Sequence, residues 1–94
     1  MTADANAVDL YVVRNEVAPD CAYHCDAVAT QFDAAAEVDF VAGERVPVDA
    51  ADGVVLTGST AAVYEADRRP WIAEQEALVR ELVEREIPTL GVCF

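Results

Sequence analysis

The feature that most limits what this chain can fold into is a pair of short, uncharged, branched runs with one amphipathic helical stretch between them. The first run is Gly53 to Thr57, Gly-Val-Val-Leu-Thr, and the second begins at Ile87, Ile-Pro-Thr-Leu-Gly-Val. Runs of branched residues bounded by turn residues read as strands, and their lack of alternation suits strands covered on both faces of a parallel sheet. Between them, Trp71, Leu78 and Leu82, with Ile72, Val79 and Val83 beside them, recur at helical spacing, and Pro70 fits the first helical turn. Pro88 pushes Ile87 out of the helical region and starts the second run. Strand, helix, strand in this order requires a right-handed crossover and a parallel pair.

The rest of the chain repeats the pattern. Val8 to Val13 reads as a first strand and Arg14 to Pro19 as the loop at its carboxyl end. Asp20 is placed to cap a helix whose stripe is Cys21, Cys25, Val28 and Phe32. Glu37 to Ala42 reads as a second strand ended by Gly43, and Glu44 to Ala51 as a polar connection turned by Pro47. The fold class is therefore α/β, a flavodoxin-like parallel sheet with flanking helices. Four parallel strands in the order 2-1-3-4 are expected, which brings the tips after Thr57 and Val92 to one carboxyl edge.

Two chemical readings arise for that edge. Cys93 is a candidate nucleophile, because ligands of open α/β sheets bind beyond the carboxyl ends of the strands, and the alternative is a buried structural thiol. Cys21, Cys25 and His24 could be drawn as metal ligands, but without a second ligand pair the cysteines read as core and His24 as a solvated or locally bonded residue. No cofactor or metal is called for.

Ile87-Pro88-Thr89-Leu90-Gly91-Val92-Cys93-Phe94 resembles the nucleophile strand of class I, triad-type glutamine amidotransferases. Asp52-Gly53-Val54-Val55-Leu56-Thr57-Gly58-Ser59-Thr60-Ala61-Ala62-Val63-Tyr64 resembles that family's glycine turn. The nearest flavour is the amidotransferase domain of GMP synthase and its stand-alone relatives. The resemblance implies that residues 1–94 form the amino-terminal part of such a domain, ending just after the nucleophile strand. It also implies Cys93 as nucleophile, backbone N–H groups of Ser59 and Phe94 as the oxyanion hole, and Gly58 as the turn glycine. Glutamine would be the substrate, and a synthase domain or subunit would receive the ammonia. The family's His-x-Glu base pair has no counterpart in this sequence, so the 94-residue chain alone is expected to be inactive.

Three departures or alternatives accompany the resemblance. Ser59 stands where the family has a second glycine, and Glu86 stands after the helix where the family has a glycine and where a left-handed backbone would strain it by about 1 kcal/mol. A related cysteine hydrolase of γ-glutamyl compounds would share the nucleophile strand. A non-catalytic flavodoxin-like binding module would share the sheet.

Charge limits the partners. Eighteen acidic residues against six basic ones, all arginine, give a formal charge of −12. That balance argues against nucleic-acid and anionic-membrane binding, and fits a salt-rich cytoplasm that screens self-repulsion. No stretch has the length of a membrane span or the layout of a signal peptide, and the expected location is cytoplasmic. Folding should accordingly strengthen with ionic strength. Circular dichroism melts of the chain in dilute buffer and in molar salt should show a higher and sharper transition in salt, and identical melts would refute the screening argument.

Overall fold

The computed structural model describes residues 9–59, 61 and 67–92. Four strands, β1 (Leu10–Arg14), β2 (Ala36–Asp39), β3 (Gly53–Leu56) and β4 (Thr89–Gly91), form one sheet in the order β2-β1-β3-β4. All three pairings are parallel. The helices are α1 (Tyr23–Ala29), between β1 and β2, and α2 (Pro70–Glu84), between β3 and β4. This is the flavodoxin-like α/β arrangement and strand order expected from the sequence.

Each face of the sheet is buried by a different helix, which explains why β1 and β3 carry so few polar residues. Val13 and Val54 pack with Trp71, Ile72, Leu78 and Leu82 of α2 and with Val38, Phe40, Val46, Ala51 and Ala61. Val12 and Val55, register partners, are buried but stand outside that cluster, as does Cys25 of α1, because successive residues of a strand point to opposite faces. Fully burying one such side chain stabilises the fold by about 1.5–3 kcal/mol.

Several boundaries differ from the sequence reading for identifiable reasons. β2 stops at Asp39 instead of running to Ala42, because the Asp39 side chain accepts from the Ala42 N–H and winds Phe40–Ala42 into a 3₁₀ turn. Gly43 closes that turn at φ 108°. The guanidinium of Arg45 covers Phe40, 4.1 Å from its ring centre, and pairs with Glu74 of α2. Asp20 does not cap α1. Pro19 opens a 3₁₀ turn, Pro19–Cys21, and α1 begins after Ala22 with no side-chain cap. Cys25 is buried as expected, while Cys21 is only half-buried. β4, expected to be a buried strand, is exposed at all three positions, with Leu90 52% accessible, because among the described residues it forms the sheet edge, with β3 as its one neighbour. Val83 is likewise exposed, on the outer side of α2.

The end of α2 behaves as its sequence suggests. Glu86 has φ 57°. The Glu86 N–H donates to the Val83 carbonyl at 3.0 Å and the Ile87 N–H to the Leu82 carbonyl at 2.9 Å, the two bonds of a Schellman motif. Ile87 then packs on the core cluster that contains Leu82. The chain reversal that launches β4 therefore needs a left-handed residue, and a glutamate occupies it. Glu86→Gly should raise unfolding stability by about 1 kcal/mol, read from the urea midpoint at unchanged slope. An unchanged or lowered midpoint would mean that the glutamate carries no strain.

Candidate functional site

β1 and β3 both end at the same edge, and the residues just beyond them are polar, buried and mutually bonded. Asn15 comes directly after β1, Thr57 directly after β3, and Gln75 lies on α2; they are 0%, 1% and 4% exposed. The Asn15 side-chain amide donates to the Thr57 carbonyl and to Gln75 Oε1, both at 2.9 Å. Gln75 Nε2 returns a bond to Asn15 Oδ1 at 2.7 Å. The Asn15 backbone N–H donates to Thr57 Oγ1 at 2.9 Å, and the Thr57 N–H to the Val13 carbonyl at 3.0 Å. Among the described residues no buried side-chain nitrogen or oxygen lacks a partner. Closed networks of this kind rigidify a core, because each member left alone would cost its full desolvation.

Above this network lies the glycine turn. Gly58 and Ser59 are half-buried, and Ser59 Oγ accepts from the Ala61 N–H at 3.0 Å, a bond that a glycine at this position could not make. β4 arrives alongside: the Val92 N–H donates to the Leu56 carbonyl at 2.9 Å, extending the β3–β4 ladder by one residue. Gly58, Ser59 and Val92 thus line one cavity of about 420 Å³, together with Glu16, His24, Ala27 and Val28. Cys93, Phe94, Thr60 and residues 62–66 lie outside the described residues. Of the residues singled out from sequence, Gly58 and Ser59 are therefore placed at the carboxyl edge, beside the residue that precedes Cys93.

The cavity wall opposite the turn comes from β1 and α1. Glu16 Oε2 accepts from the N–H groups of Val17 and Ala18, both at 3.0 Å, which fixes its carboxylate. His24 is exposed at the rim, its ring centre 4.1 Å from that of Tyr23. At the end of β1, Arg14 Nη1 reaches Asp26 at 2.6 Å and Glu37 at 2.5 Å, joining α1 and β2. The Asp26 bond, with help from Glu37 and against the effect of partial burial, raises the Arg14 pKa above its ordinary value, so this cation persists at any working pH. Among the described residues no group of three or more potential metal ligands converges, and no helix is long and apolar enough to cross a membrane.

Comparison with known proteins supports the fold. The chain is similar to the crystal structure of a glutamine amidotransferase from Thermotoga maritima, with a TM-score of 0.70 and 26% identity over 92% of this chain. The chain spans 38% of the length of that protein. No protein-family model matches the chain, and no curated relative does. The fold is thus glutamine amidotransferase-like, and the likeness does not single out the GMP synthase branch.

Asn15, Gln75 and Glu16 were not among the site residues expected from sequence. Gln75 did carry a signal, since it falls on the apolar stripe of α2 with Trp71, Leu78 and Leu82. Gln75→Leu keeps the volume and strands Asn15 Oδ1 without its donor, so it should destabilise the protein by about 1–3 kcal/mol in urea or thermal unfolding. A neutral Gln75→Leu would show that the network is dispensable.

Proposed function

We propose that this chain is part of an enzyme that hydrolyses the side-chain amide of glutamine through a cysteine thioester and delivers the ammonia to a synthase domain or subunit. The observation that carries the reading is the convergence of the glycine turn, Gly58 and Ser59, and the end of β4, Val92, on one cavity in a fold similar to a glutamine amidotransferase. Cys93, the residue after Val92, is the nucleophile. Its sulfur attacks the amide carbon, and the carbonyl oxygen takes the negative charge, facing the N–H groups of Ser59 and Phe94. The carbon–nitrogen bond then breaks as the nitrogen accepts a proton and leaves as ammonia. Water attacks the thioester, releasing glutamate and restoring the thiol.

The base that carries these protons is outside residues 1–94. His24 is the one histidine in the sequence, and it stands on α1 at the cavity rim, stacked on Tyr23. The 94-residue chain alone is accordingly inactive in this reading, and the extended protein is the glutaminase. Within this class, the motif resemblance makes the amidotransferase domain of GMP synthase and its stand-alone relatives our choice of branch. The acidic, lysine-free composition makes a cytoplasmic, salt-adapted setting our choice of location.

The test is glutamate release from glutamine by the full-length protein. Turnover is expected, and Cys93→Ser should reduce it by roughly three orders of magnitude or more, since serine cannot supply a thiolate. A full-length protein without glutaminase activity, or a Cys93→Ser variant as active as its parent, would overturn the assignment.

A further inference from the structure

Thr57 is buried, and each of its polar atoms has a partner. Its N–H is held by the Val13 carbonyl at 3.0 Å and its own carbonyl by the Asn15 amide at 2.9 Å. Its hydroxyl oxygen accepts from the Asn15 N–H at 2.9 Å, donates to the Gly58 carbonyl at 3.1 Å, and meets Cys25 Sγ at 3.3 Å. A hydroxyl has one proton and two lone pairs. With the proton on the Gly58 carbonyl and one lone pair filled by Asn15, the Cys25 thiol is the donor to the second. The hydroxyl rotor is thereby locked, and the branched side chain has little rotational freedom of its own.

The Gly58 carbonyl and the Ser59 N–H belong to one planar trans peptide and point in opposite directions. A hydroxyl that draws the carbonyl inward therefore turns the Ser59 N–H outward. Gly58, Ser59 and Val92 line the cavity next to this peptide. Among the described residues nothing accepts from the Ser59 N–H, and the Thr57 bond to the Gly58 carbonyl fixes the direction of this donor. Such fixed donors are worth most where negative charge develops, because they need no reorganisation during the reaction.

We propose that Thr57 is a positioning residue, whose buried hydroxyl aims the Ser59 N–H at the substrate's oxyanion. The inference rests on the glutaminase reading above. Cys25 and Asn15 act through Thr57, by settling where its proton goes.

The experiment compares the full-length parent with Thr57→Val, which keeps the branched shape and deletes the hydroxyl, and Thr57→Ser, which keeps the hydroxyl. In Thr57→Val, kcat for glutamine hydrolysis should fall by about tenfold to a hundredfold while KM stays within about twofold, because a misaimed donor is lost chiefly in the transition state. Thr57→Ser should recover kcat to within about threefold of the parent. The melting temperature of each variant is measured alongside. Unchanged kcat in Thr57→Val overturns the inference. So does a loss of kcat that Thr57→Ser fails to recover and that tracks the melting temperature, which would mark a purely structural residue. Failure of the parent reading looks different: the parent and Cys93→Ser would then both be silent, and the catalytic role of Thr57 would fall with them. Nitrogen-15 relaxation of the Ser59 amide supplies a readout independent of turnover, and the inference requires its order parameter to drop in Thr57→Val and return in Thr57→Ser.

Discussion

The reciprocal amide bonds between Asn15 and Gln75 are the constraint on which the carboxyl edge of this sheet depends. Two amides buried to 0% and 4% exposure can exist there only if every donor and acceptor is matched, and the matching fixes three elements at once. Asn15 sets the end of β1, Gln75 sets the rotation of α2 about its axis, and the Asn15 bonds to Thr57 set the end of β3. A rotation of α2 by one residue would remove Gln75 from Asn15 and leave two unsatisfied amides in the core, at about 1–3 kcal/mol each. Apolar packing alone tolerates such a shift far better, because it is not directional. The network thus converts a generic layered core into one with a defined edge, on which the glycine turn rests.

A good part of the fold was legible in the sequence. The strand order, the parallel pairing and the start of α2 at Pro70 come from the spacing of branched runs and from proline chemistry, and the structure agrees with each. The left-handed backbone at Glu86, φ 57°, was legible through the resemblance, which places a glycine after this helix. The errors arose where a local hydrogen bond outweighed the pattern. Phe40 to Ala42 look like strand, but the Asp39 carboxylate reaches Ala42 and the chain turns. Asp20 looks like a cap, but Pro19 starts a tighter turn one step earlier. The apolar character of Leu90 suggested burial, yet an edge strand has a neighbour on one side only.

The glycine turn was legible by motif, and what supports it was not. Gly58 and Ser59 could be singled out from the turn sequence, and they do line the cavity with Val92. Nothing in the spacing links Asn15 to Gln75, 60 residues apart, and a single polar residue on a helical stripe gives no hint of its partner. Ser59 shows the same limit from the other direction. Read as a loss of glycine freedom it is a defect, whereas in the structure its hydroxyl gains a bond to Ala61 that helps close the turn. The side chain that replaces the glycine contributes to the shape that the glycine would have permitted.

The central claim is that the turn after β3 presents the Ser59 N–H to an oxyanion formed on Cys93. The most direct measurement is a crystal structure of the full-length protein after reaction with a chloroketone analogue of glutamine, which traps an attacking thiol. The account predicts continuous density from Cys93 Sγ to the analogue, with its oxygen about 2.7–3.1 Å from the Ser59 nitrogen. An unmodified Cys93, or an adduct whose oxygen faces away from Ser59, would contradict it.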